Sequence, residues 1–228
     1  MGTADRIERE RLAKRARILD AARELFVERG IEAVTLREIA QRIEYSTTAI
    51  YVQFKDKQDL VEQMVREDFA TFVAALATVA TRPDPLERLW RLGEAYVAFA
   101  LANPHHYRLL FMTPHPPEPH PEHEPTGIEG YQLLLRTVTD CIDTGLFRPE
   151  VTDPHATAQG IWAATHGLVA LLIAMGQLPK FHWRSADTLL ATALGAMLRG
   201  LLADPDAFER VIAQGTGSSA PRPKRRRR

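Results

Sequence analysis

His115, His120 and His123 stand among Glu118, Glu122 and Glu124 in segment 113–127, a crowd of side chains that could ligate a metal. Zinc sites need close ligand pairs held tetrahedrally on ordered elements. Here the spacing is irregular and the chain is proline-rich, so no metal site is expected. Trp162 and His166, four residues apart, share one face of any helix they lie on. There His166 would either bond a bound molecule or be satisfied by a backbone carbonyl. Thr47, Thr48, Val52 and Gln53 fall away from the apolar line that Ile50 and Phe54 make at i, i+4, and are free to face outward. A threonine offers a hydroxyl to a base edge or a methyl to thymine, and an arginine reads guanine bidentately. No activated nucleophile, carboxylate pair or phosphate-binding glycine loop stands out. No catalytic residue, no cofactor and no enzyme activity are expected.

Helices must position these groups. Thr35 and Glu38 have the T-x-x-E spacing of a capping box, with Val34 and Ile39 as its hydrophobic staple. Leu36, Ile39, Ala40 and Ile43 then share a face. Glu44-Tyr45-Ser46 breaks the pattern, and without glycine that turn must either avoid a positive φ or accept it at a residue with a Cβ. Ser46 is a natural N-cap for a second short helix, and Tyr45 and Ile50 have the spacing of its staple. Two short helices around a three-residue turn, the second polar at its start, make the helix-turn-helix pattern suited to the major groove.

The stretches ARILDAARELFVERGIEAVTLREIA, EYSTTAIYVQF and KDKQDL, covering residues 14–62, resemble the DNA-binding domain of TetR-type (tetracycline-repressor-like) transcriptional regulators. The resemblance implies phosphate contacts for Tyr51, Lys57 and Thr35. It implies base-edge contacts for Thr47, Thr48 and Arg37, although Arg37 could instead pair with nearby acids on an exposed helix. Ala49 is too small to read much and would serve close approach.

Proline and glycine mark the remaining elements. A helix over 9–29 has Ile18, Ala21, Ala22 and Leu25 as its inner stripe. Gly30 is read as its C′ residue, with Ile31 folding back on Phe26 in a Schellman motif. Further helices are expected over 56–81, 86–102, 105–111, 128–144, 155–176, 185–202 and 205–214. Segment 113–127 reads as an extended or disordered loop and 215–228 as a disordered basic tail, either inert or an auxiliary electrostatic anchor for DNA. The fold class is all-α: an N-terminal three-helix domain with a helix-turn-helix, residues 1–55, and a larger helical ligand-binding and dimerisation domain, residues 56–214.

The stretches AYVAFALANPHHYRLLFM and IWAATHGLVALLI resemble the effector domain of a TetR subgroup with a Trp-His-Gly-like signature, here split as Trp162 and His166-Gly167. This resemblance implies a helical domain that dimerises through its last two long helices and holds a small effector. Trp90, Tyr96, Phe99, His106, Tyr107, Phe111, Trp162 and His166 are the candidate effector residues, though aromatics at helical spacing also serve as plain core. The apolar helices 155–176 and 185–202 need burial on more than one side. They pair either with a second subunit across a two-fold axis or wholly within one chain. In the first case Gly195 and Gly200 allow close approach, and a charge at Leu194 would break the seam.

Composition fits this reading. In a chain of 228 residues with 45% hydrophobic side chains, Cys141 is the lone cysteine. No secretory signal is evident, and the greasy stretch 167–175 is too short to span a bilayer. A cytoplasmic protein without a membrane partner is expected. Residues 1–60 hold 12 Lys and Arg against 11 Asp and Glu, 61–221 hold 11 against 18, and 222–228 hold six basic residues and no acid. Arg6, Arg9, Arg11, Lys14, Arg15 and Arg17 form either a basic arm for phosphates or a solvated, frayed start. The expected partners are an operator in double-stranded DNA, a small hydrophobic effector and a second copy of the chain. The expected activity is sequence-specific repression relieved by the effector. The alternative is a helical small-molecule-binding protein without specific DNA activity.

Overall fold

The computed structural model describes residues 2–114, 128–178 and 181–216. Over these residues run α1 (Thr3–Arg29), α2 (Leu36–Arg42), α3 (Thr47–Tyr51), α4 (Lys57–Ala77), α5 (Pro85–Ala102), α6 (Pro104–Met112), α7 (Ile128–Asp143), α8 (Pro154–Met175), α9 (Ala186–Leu201) and α10 (Asp206–Thr216). The fold is all-α, and the extended pairing among the described residues is one isolated bridge between Phe147 and Leu202. Most of segment 113–127 and the tail from 217 lie outside the described residues, so the loop and tail expectations are not addressed there.

Local chemistry explains the helix ends. The hydroxyl of Thr35 accepts from the amide of Glu38, and the Glu38 carboxylate accepts from the amide of Thr35, closing the capping box of α2. Ser46, Asp153 and Ser185 cap α3, α8 and α9 in the same sense. Each such cap contributes about 1 kcal/mol. Gly145 ends α7 at φ 69°, where the amide of Leu146 reaches the carbonyl of Cys141 and that of Gly145 reaches Ile142. That is a Schellman motif. Gly30 departs from expectation. Its φ of 81° and ψ of 152° belong to a region open essentially to glycine but outside the left-handed helical well, so α1 ends without a Schellman closure and passes into a turn over 31–34. Ile31 and Phe26 are nonetheless buried in one cluster.

The chain packs as two compact units, Met1–Ala74 with Ala100–Glu129, and Ala75–Phe99 with Gly130–Arg228. In the first, Ile18, Ala22 and Phe26 of α1 meet Ile39 of α2, Ile50 of α3, Phe54, and Leu60 and Met64 of α4. Leu109 of α6 completes this core with no exposed surface. A buried ion pair lies beside it: Arg23 donates to both oxygens of Asp68, at 2.8 Å each. His106 Nδ1 of α6 lies 3.0 Å from the same carboxylate, without the alignment of a full hydrogen bond.

In the second unit, α8 and α9 pack side by side. Leu190, Leu194 and Leu198 turn inward, and a Cβ on Gly93 of α5 would stand 2.5 Å from Leu194 Cδ2. Leu194 is therefore protomer core rather than an outward seam residue. Gly195 likewise serves the protomer, since a Cβ there would meet the Phe208 ring of α10 at 3.0 Å, whereas Gly200 faces open space. α8 as a whole is 22 residues long and contains an 18-residue stretch with a mean hydropathy of 1.5. It meets the length and composition of a membrane span, which the shorter greasy stretch does not. It is interrupted by Thr157, Gln159, Thr165 and His166 and packed along α9.

Candidate nucleic-acid interface and effector cluster

The turn between α2 and α3 is held by the same motif that ends α7, with a different residue at its critical position. The amide of Tyr45 reaches the Ala40 carbonyl at 2.9 Å and that of Glu44 reaches Gln41 at 3.2 Å. Glu44 takes the left-handed position at φ 58°. A residue with a Cβ pays about 1–2 kcal/mol there. The turn thus accepts the positive φ rather than avoiding it. Tyr45 packs against the core and carries Arg17 over its ring at 5.1 Å.

α3 buries Ile50, and Phe54 follows it into the core, so the rest of its surface is defined by subtraction. Thr48 is exposed and Thr47 is half-buried at the helix start. Tyr51 is 56% exposed, which leaves its hydroxyl available at the rim. On α2, Arg37 is exposed and forms no ion pair or hydrogen bond among the described residues. The pairing of Arg37 with nearby acids is therefore not formed, while Arg29 and Arg42 do pair, with Glu38 and Glu24.

Thr35 and Lys57 are already engaged. The Thr35 hydroxyl donates to Glu38 at 2.7 Å while accepting from its amide. Hydrogen bonds from the side chain and backbone of Thr35 and from Arg29 hold the Glu38 carboxyl down at about 2. The Lys57 ammonium donates to three carbonyls, those of Ile31, Glu32 and Val34, at 3.0–3.3 Å. It ties the start of α4 to the α1–α2 connection. The basic run at the N-terminus is helical from Thr3 rather than a frayed arm. Arg11 pairs with Glu8, Arg15 with Glu67 and Gln63, and Arg17 with Tyr45, leaving Arg6, Arg9 and Lys14 exposed.

The eight candidate effector residues divide. Tyr96, Trp162 and His166 come together: the Trp162 indole N–H donates to the Tyr96 hydroxyl at 3.1 Å, which lies 3.4 Å from His166 Nδ1. Burial lowers the His166 pKa, which keeps its ring neutral at pH 7. Trp90 is stacked edge-on against Phe208 and Phe99 is buried, both in the same unit. His106, Tyr107 and Phe111 belong to the first unit. There His106 faces Asp68, and Phe111 packs edge-on against Phe69 and Phe72 and tilts onto the fully buried Tyr107. Two residues absent from the sequence reading join the first group. The Tyr131 hydroxyl and His155 Nδ1 are 3.0 Å apart, and the Tyr131 ring lies 6.1 Å from that of Trp162. His155 precedes Trp162 by two helical turns, a spacing that could have been noticed. Burial pushes the Cys141 thiol up to about 12, so it is a neutral packing group. Among the described residues no three His, Cys, Asp or Glu gather as a metal site, and the His/Glu segment lies outside them.

A capped two-helix reader on a three-helix core, followed by a larger helical unit, defines the class of helix-turn-helix transcriptional regulators. Residues 18–64 match the family described as bacterial regulatory proteins, tetR family, and residues 89–197 match the tetracyclin repressor-like C-terminal domain. The chain belongs to the tetR family. It is 31% identical over 107 residues to the transcriptional activator FasR of Mycolicibacterium smegmatis, covering 46% of this chain and 49% of that one. It is 28% identical to the transcriptional repressor KstR2 of Mycobacterium tuberculosis, covering 46% and 52%. The matched part spans about half the length of these curated relatives. A tetR-family regulatory protein from Rhodococcus RHA1 superposes with a TM-score of 0.64 at 25% identity, over 84% of this chain and 98% of the other. The solved KstR2, described as a ketosteroid transcriptional regulator, superposes with a TM-score of 0.64 at 20% identity, over 83% and 95%.

Proposed function

We propose that the protein is a dimeric repressor that binds a near-palindromic operator and is released from it by a small hydrophobic effector. The observation that carries this reading is the outward face of α2 and α3. Exposed Thr48 and Tyr51 and unpaired Arg37 stand over a core that fixes both helices. In the groove, Arg37, Thr47 and Thr48 would address base edges, while Tyr51, the exposed Arg6, Arg9 and Lys14, and Thr35 where its cap allows would address phosphates. Lys57 would contribute chiefly by bracing the unit. Residues 1–55 would carry DNA contact and 56–214 effector binding and dimerisation, the chain acting in the cytoplasm where its DNA lies.

Dimerisation is supported by what α8 and α9 leave uncovered. Ala163, Leu171 and Ala174 of α8 and Ala193, Ala196 and Gly200 of α9 are exposed on two otherwise apolar helices. A matching face on a second copy would bury them about a two-fold axis and set two α3 helices roughly 34 Å apart, one DNA turn. The effector would sit at Tyr96, Trp162 and His166, with Tyr131 and His155 beside them. Aromatic rings whose polar atoms are engaged with one another, with a neutral imidazole among them, favour a lipophilic molecule, and the ketosteroid description of KstR2 supports the same class. Gel-shift titration of the full chain on an operator recovered from genomic footprinting, with and without steroids and fatty acids, tests this. A lipophile should weaken binding at least tenfold. Affinity unchanged across such a panel would remove the effector reading, and absence of any preferred sequence would remove the operator reading. A reporter gene fixes the sign, since KstR2 is a repressor and FasR an activator.

A further inference from the structure

Val52 is 77% exposed, more than any other large hydrophobic residue described, and it stands at the end of the recognition helix. Its backbone is still helical, at φ −68° and ψ −27°. Thr48 and Val52, at i and i+4, therefore lie on one line, opposite the buried Ile50. Exposed Tyr51 and half-buried Ala49 flank that line. Nothing from Thr47 to Gln53 carries a charge. The part of α3 that projects farthest from its own core thus presents methyl groups: two on Val52, one on Thr48 and one on Ala49.

We infer that Val52 is a specificity-determining residue that reads the 5-methyl group of thymine in the operator's major groove. Of the four DNA bases, thymine alone presents a methyl there, and an apolar side chain distinguishes it by removing that methyl from water. Such contact gives α3 a preference for thymine that no hydrogen bond need supply, and Thr48 adds its own methyl on the same line. The inference rests on the proposed entry of α3 into the groove. It predicts dependence on a single carbon atom of the DNA, which phosphate or shape recognition does not.

The test uses the full chain and operators selected from random duplexes. Each thymine of one half-site is replaced by deoxyuridine, which removes the methyl and leaves base pairing intact. Wild type should lose about fourfold in affinity at one such position, the worth of one buried methyl-sized group. Val52→Ala should bind the thymine operator more weakly and lose less than twofold on the same replacement. Its melting temperature should match wild type because the side chain is exposed. Deoxyuridine tolerated at every position, or an undiminished loss in Val52→Ala, overturns the inference. If selection enriches no sequence at all, the proposed operator binding itself fails, a result distinct from the others.

Discussion

Glu44 and Gly145 occupy the same place in the same helix-ending motif, and one of them carries a side chain that the geometry penalises. Replacing Glu44 with glycine relieves about 1–2 kcal/mol of backbone cost and returns part of it as unfolded-chain entropy. Glu44→Gly should stabilise the protein by about 0.5–1 kcal/mol, read as a higher thermal midpoint. Lys57 leads to a second expectation. Its ammonium serves three carbonyls, so Lys57→Met should cost about 1–3 kcal/mol of stability in urea unfolding while leaving the salt dependence of DNA binding unchanged. A salt slope about one unit shallower would instead mark it as a phosphate ligand. At Asp68, burial acts to raise the carboxyl pKa, but the contact with His106 and the hydrogen bonds from Arg23 outweigh it and hold the value low. The stabilisation is therefore whole above about pH 4, the ordinary carboxylate range, and fades as pH falls through the depressed folded value. Asp68→Asn should cost about 3–5 kcal/mol at pH 7 and flatten the acid limb of the stability profile. The capping residues Thr35 and Ser46 were legible in the sequence because caps are local. The tasks of Lys57 and His106 were not, because their partners lie far away along the chain.

At the scale of elements, proline and glycine marked most helix ends within a few residues, since they act on their own backbone. The start of α1 was harder. Its first turns show no apolar period, yet they are made of residues with good helix propensity and are joined by the Glu8–Arg11 pair. Which face of α9 meets which neighbour was also illegible, because an apolar stripe does not name its partner. Leu194 lies under Gly93, whereas Ala196 is exposed. Leu194→Glu should unfold the second unit, seen as lost helical circular dichroism. Ala196→Glu should leave the protomer folded but yield a monomer in sedimentation velocity at micromolar concentration. A dimer that tolerates Ala196→Glu would mean that the helices associate through another face.

For the molecule as a whole, the fold class and the presence of two helical parts could be read from periodicity and punctuation. The membership of α6 could not. It follows α5 in the chain, yet Leu109, His106 and Phe111 are packed with α1 and α4, so the first unit is assembled from two separate stretches. This discontinuity bears on recombination. A regulator is often imagined as a reading head that can be cut off and fused to another sensor at a single junction. Here a cut at residue 55 would leave the head without α4 and α6, taking Leu60 and Met64 out of its core and Asp68 away from Arg23. Residues 1–55 alone should accordingly melt well below the full chain and bind DNA poorly. A hybrid that exchanges 75–99 together with the chain from 130 onward, and keeps α6 with its native head, should fold. The unit of inheritance for rewiring this protein is thus a pair of exchanged segments, with three splice points in place of one.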